Sequence, residues 1–155
     1  MGIFSIFRRK HVPFFSAEEQ HMITAAVTEA EKHTSGEVRV YVESHCSYMD
    51  ALDRAVEIFH GLKMEQTQLH NAVLVYVALK DKQLAVYADA GIHEKVGDQF
   101  WQQAVVIMLS HFDKQNYATG IAGVVREIGD VLSQHFPHDG KTEKNELPDE
   151  IVFGR

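Results

Sequence analysis

Apolar residues in this chain repeat at two spacings, close to 3.6 and close to 2, and the changes between them mark out the secondary structure. Ser16-Ala17-Glu18-Glu19 opens the first element as a capping box: the serine oxygen accepts from the backbone three residues on, and Glu19 reaches back. Met22, Ile23, Ala26, Val27 and Ala30 then hold a helical stripe to about Thr34, where Ser35-Gly36 supplies the stop. Residues 37–44 alternate Val38, Val40 and Val42 against Arg39, Tyr41 and Glu43, which predicts a strand with one strongly apolar face. Leu52, Ala55, Val56 and Phe59 return to helical spacing over 49–62. Residues 71–79 are nearly all apolar, as in a strand buried on both faces, and Lys80-Asp81-Lys82 turns the chain into a third strand at 83–88. Two further helices are predicted over 98–112 and 117–136.

Strands with helices before, between and after them predict an α/β fold, a three-layer α/β/α sandwich around a small mixed β-sheet. The 155 residues suit one domain, which the periodic segments place at 16–136. Residues 1–15 read as an apolar-basic N-terminal arm, with Ile3, Phe4, Ile6 and Phe7 ahead of Arg8-Arg9-Lys10. Residues 137–155, with Pro137, Gly140 and Pro148, read as an irregular C-terminal tail.

Charge narrows the function classes. Acidic residues outnumber basic ones 22 to 15, so the chain as a whole repels nucleic acid, and no nucleic-acid partner is expected. The single cysteine, Cys46, allows no internal disulfide and no paired-cysteine zinc site, which fits a reducing cytoplasm. No apolar stretch reaches the ~20 residues of a transmembrane segment. The arm lacks the order of charges of an export signal, leaving weak peripheral membrane contact as its one lipid reading. The basic arm and the acidic tail, with Leu147, Ile151 and Phe153, are expected to fold back onto the domain, with contact to a protein partner as the alternative, and a monomer is expected.

Several short motifs occur in a telling order: Thr34-Ser35-Gly36-Glu37-Val38 entering a strand, Asn71-Ala72-Val73-Leu74, Asp89-Ala90-Gly91-Ile92, and a Phe100-Trp101 pair. Over roughly residues 15–136 the chain resembles the TPM domain family, which includes thylakoid-lumen proteins linked to photosystem repair and many bacterial proteins. Short soluble bacterial members share an ending like Asn145-Glu146-Leu147-Pro148-Asp149-Glu150-Ile151. The resemblance implies an α/β/α fold, and acid phosphatase activity and divalent-cation binding are attributed to some members. Many members carry Gly-Tyr-Gly-Leu-Glu where this chain has Asp89-Ala90-Gly91-Ile92-His93, so His93 replaces a family glutamate; Asp98 matches a later family aspartate.

If β1 and β2 run parallel and β3 returns antiparallel, then Glu37, His70, Asn71 and Asp89 converge on one sheet edge, with His93, Glu94 and Asp98 in the next turn. Carboxylate and carboxamide oxygens suit Ca²⁺ or Mg²⁺, so Glu37, Asn71, Asp89, Glu94 and Asp98 are the candidate metal ligands. The plainer reading makes Glu37 and Asp89 solvated strand ends and Asp98 a helix cap. No Cys-x5-Arg loop, Asp-x-Asp pair or Walker-type loop is present, so any phosphatase chemistry here would be metal-assisted. Cys46 reads as a semi-buried inert thiol, and the ten histidines as scattered, with His135 and His138 alone close together. Phe100, Trp101 and Phe112 read as core. The expectation is a binding or accessory module with a divalent-cation site at one sheet edge and no derivable reaction; the alternative is a metal-dependent acid phosphatase using the same edge.

Overall fold

The computed structural model describes residues 14–113, 116–138 and 149–154. The readings of an arm over 1–13 and of the stretch 139–148 lie outside these residues. Helix α1 spans Ala17–Glu31 and starts on the expected reciprocal cap: Glu19 N donates to Ser16 Oγ at 3.1 Å and Ser16 N to Glu19 Oε1 at 2.9 Å. Strand β1 is Glu37–Glu43, α2 is Ala51–Gly61 after the N-cap Asp50, β2 is Ala72–Ala78 and β3 is Gln83–Ala88. Three helices follow, α3 at Ala90–Val96, α4 at Asp98–Asp113 and α5 at Tyr117–His135, and then β4 at Val152–Phe153.

The sheet order is β3-β2-β1-β4, with β1 parallel to β2 and to β4, and β2 antiparallel to β3. Each face of the sheet is covered, which makes the α/β/α sandwich the sequence predicts. On one face Val38, Val40 and Val42 of β1 join Ile23 and Val27 of α1, Trp101 and Met108 of α4, and Ile121, Val125 and Ile128 of α5. On the other, Leu74 and Tyr76 of β2 meet Phe59, Ile58 and Ala55 of α2. Every residue of β2 is buried, as its unbroken apolar run requires. Helices α1 and α5 approach so closely that a Cβ on Gly129 would stand 2.5 Å from the Cβ of Ala30.

The packing extends past residues 16–136 at both ends. Phe15, placed in the arm by the sequence, is 3% exposed and joins the α1/α5 core. Val152–Phe153, placed in an irregular tail, forms β4: Tyr41 pairs with Val152 and Val42 with Phe153, Gly154 N donates to Val42 O at 2.7 Å, and Phe14 stacks on Phe153 at 5.9 Å. The open edge of β1 supplies the reason, since its unpaired backbone groups are satisfied by an added strand.

Candidate functional site

The register places the starts of β1 and β2 and the end of β3 side by side: Glu37 is opposite Ala72, and Val73 is opposite Ala88. The sequence-predicted edge therefore exists, but its side chains are distributed differently from a ligand shell. Glu37 is 1% exposed, and its backbone N donates to Asn71 O at 3.4 Å. Asn71 Nδ2 donates to Ser35 Oγ at 3.3 Å, while its Oδ1 is buried without a hydrogen-bond partner among the described residues. Asp89 caps α3, its Oδ1 accepting from Ala90 N at 2.8 Å, and its Oδ2 lies 3.3 Å from His70 Nδ1. Asp98 Oδ1 lies 3.0 Å from His93 Nε2, and Glu94 is exposed on α3. Among the described residues, no group of three His, Cys, Asp or Glu is arranged to hold a metal ion. The residues as they stand do not fit a complete Ca²⁺ shell, which takes six to eight oxygens.

The backbone around this edge is held tightly. His70 takes φ 50°, in the left-handed region. A Cβ on Gly91 would lie 2.3 Å from Leu69 O and 2.5 Å from His70 O, so only glycine lets α3 sit against that loop.

Beside the edge runs a feature that helical periodicity alone did not separate from core. Strand β3 ends the sheet, and it floors a groove of about 640 Å³. Leu52 of α2 forms one wall, and Trp101, Gln102 and Val105 of α4 form the other. Asp89, His93 and Asp98 also line it, at the end of β3. Leu84, Val86 and Ala88 are nearly covered, whereas Leu52 is 51% exposed. Trp101 is buried, as read from sequence, and its indole Nε1 has no hydrogen-bond partner among the described residues. Cavities of roughly 300–1,000 Å³ with apolar walls and a few polar groups are the usual form of ligand sites.

Two buried polar clusters were not read from the sequence. At the far end of β1, Glu43 accepts from Arg54 Nε at 2.9 Å, from Arg54 Nη2 at 3.0 Å and from the Tyr76 hydroxyl. Burial, then the bond to Glu43, pushes the Tyr76 phenol well above its ordinary value, and the bond to Glu43 does the same for the Arg54 guanidinium. Cys46, read from sequence as semi-buried, is buried and donates its thiol to Met49 O at 3.2 Å. At the other end Glu31 is 3% exposed and accepts from Val38 N at 2.8 Å. Burial, a hydrogen bond with Asp149 and the charge of Glu37 push its carboxyl up to about 10. Nothing in local spacing separates these glutamates from solvated ones.

Among the described residues, no helix is long and apolar enough to cross a membrane. No curated protein matches the chain. The BA42 protein of the psychrophilic bacterium Bizionia argentinensis, solved by NMR, is similar at 39% identity, covering 92% of this chain and 97% of that one with a TM-score of 0.80. Two more distant NMR structures share the fold. The N-terminal domain of the cg2496 protein of Corynebacterium glutamicum is 11% identical, with a TM-score of 0.62 over 87% of this chain and 81% of that one. The N-terminal domain of a P. gingivalis protein is 18% identical, with a TM-score of 0.64 over 80% and 82%. The TPM domain pattern matches residues 10–131, the span that carries both layers of helices and strands β1 to β3, and the chain belongs to the TPM domain family.

Proposed function

We propose that the protein is a binding module that works through the groove along β3, taking a ligand with an apolar body and a polar or cationic end. The observation that supports this is the pairing of apolar walls at Leu52, Trp101 and Val105 with Asp89, His93 and Asp98 at one end. A recess with apolar walls and a few polar groups gathered at one end is the usual form of a ligand site. An uncharged apolar fluorescent dye such as Nile red, titrated into the full chain, tests the reading. Saturable backbone NMR shifts confined to β3, Leu52 and the first turns of α4 are expected. Shifts spread evenly over the surface would count against it.

A second reading keeps a divalent cation, Ca²⁺ or Mg²⁺, at the adjoining sheet edge near Glu37, Asn71, Asp89, Glu94 and Asp98. One observation favours it: Asn71 Oδ1 is a buried acceptor without a partner among the described residues, a place that an ion or a water completes. A metal-dependent acid phosphatase would draw on the same residues and would also need donors for the phosphoryl oxygens. Saturable Ca²⁺ or Mg²⁺ shifts at these residues, weakened more by Asp89→Ala than by Asp139→Ala, support the cation. Phosphate-ester turnover near ~10 per second, lost in Asp89→Ala, would favour the phosphatase.

A further inference from the structure

We propose that the groove receives an extended peptide of another protein, which adds to β3 as a fifth strand and places a lysine or arginine against Asp89 and Asp98. The inference rests on the groove being the binding site and names the class of ligand.

The backbone of β3 selects the shape of the ligand. Asp89 N donates to Ala72 O at 2.9 Å, so in an antiparallel ladder Tyr87, Ala85 and Gln83 also turn their N–H and C=O groups toward β2. Leu84, Val86 and Ala88 turn theirs to the opposite side, where no strand among the described residues pairs with them. These outward groups recur every second residue, about 7 Å apart along the strand. Only another extended backbone matches that repeat, which is how sheets capture peptides at their edges.

The walls select side chains. Leu52 lies on one side of the floor and Trp101 with Val105 on the other, so the alternate side chains of an added strand meet apolar surface both above and below. The end selects charge. Asp89 pairs with His70 and Asp98 with His93, and neither has a Lys or Arg partner among the described residues. A cationic side chain there meets carboxylate rather than competing cation, on a chain whose formal charge is −7.

The recess argues against a second copy as the occupant. Each β3 is flanked by its own α2 and α4, so two such edges pairing at ~4.8 Å would bring four helices against one another. A single extended segment meets no such obstacle.

The test uses the full chain and a synthetic heptapeptide of alternating valine and threonine ending in two lysines. Saturable binding is expected, with slowed amide exchange at Leu84, Val86 and Ala88. N-methylation of the peptide at alternate backbone nitrogens should weaken binding by about tenfold or more, the value of one or two lost hydrogen bonds. Asp98→Asn should weaken it severalfold and reduce its salt dependence. Equal binding of the N-methylated peptide, or unchanged exchange at those three amides, would overturn the proposal. So would a free protein that sediments as a dimer with the three amides already protected, because the edge would then belong to a second copy. If the apolar dye perturbs the groove and the peptide does not, strand addition fails while the binding reading stands. If neither perturbs it, both fail.

Discussion

Arg54 grips the buried carboxylate of Glu43 with two nitrogens, Nε at 2.9 Å and Nη2 at 3.0 Å, and so ties α2 to the end of β1. The fork geometry of the guanidinium fits the carboxylate, and the Tyr76 hydroxyl, reaching from β2, supplies a further donor. The helix that forms one wall of the groove is thereby fixed to the two central strands.

Removing one partner of this cluster leaves a buried charge uncompensated, which costs more than the pair itself is worth. Arg54→Met is therefore expected to destabilise the protein by about 3 kcal/mol, at the low end for buried pairs because the arginine is partly solvated. The double variant with Glu43→Gln should recover part of the loss. Urea unfolding of the two singles and the double measures the coupling, and strict additivity would show that the bond carries no special weight.

Glu31 predicts a pH dependence. Its folded-state carboxyl is raised from 4.5 to about 10, chiefly by burial and then by the bond to Asp149. A raised value means that the folded state holds a proton which the unfolded chain gives up near the ordinary carboxylate value. The stabilisation is therefore complete below about 4.5, declines as pH rises and is gone above about 10. Glu31→Gln keeps an acceptor for Val38 N and an N–H donor for Asp149 but has no proton to lose. The expected result is a flatter stability curve between pH 5 and 9 in urea titrations, using roughly the pH span over which such a group titrates. An unchanged slope would move the pH dependence to other groups.

What could be read in advance follows the range of the interaction. The Ser16 to Glu19 cap spans three residues, and both of its bonds form as the motif implies. The alternation of Val38, Val40 and Val42, with the apolar run at 72–78, was enough to bring Glu37, Asn71 and Asp89 to one edge, since a parallel pair followed by a hairpin puts those strand ends on the same side of the sheet. Strand β4 was not legible because its two residues take their structure from Tyr41 and Val42, more than a hundred positions away in the chain. Glu31 and Glu43 carry the look of solvent-facing charges, and their partners lie beyond any local motif: Val38 and Arg54 sit on the next element, and Asp149 near the far end of the chain. Leu52 shows the reverse: it keeps the period of a core residue, but the described residues leave it half exposed, and it became a groove wall.

Gly91 should tolerate no side chain. Its missing Cβ makes room for the carbonyl oxygens of Leu69 and His70, and backbone atoms on that loop cannot swing away as a long side chain would. Gly91→Ala is expected to cost ~1–3 kcal/mol, the range for overpacking, despite alanine being the better helix former. NMR of the variant should show the shifts centred on residues 69–71 and α3. A stability gain instead would mean that the loop yields freely and that Asp89 and His93 are not rigidly placed.

Leu52 separates the fold from the proposed function. It stands in the first turn of α2 and is 51% exposed, so its side chain contributes little to the core. Glutamate at that position has good helix propensity and faces the positive end of the helix dipole, which favours a carboxylate by about 0.3–1 kcal/mol. Leu52→Glu should therefore leave stability within ~0.5 kcal/mol of the original or raise it slightly, as expected for a surface change. The groove, however, would lose one apolar wall and gain a charge that must be desolvated against any apolar ligand. Binding of the dye is expected to fall by about tenfold, while a Leu52→Met control, which keeps an apolar side chain of similar volume, should bind within about twofold. Calorimetric unfolding and the dye titration on the same three samples read the two quantities independently. Unaltered dye binding in the glutamate variant would place the ligand elsewhere on the molecule and remove the groove as the site.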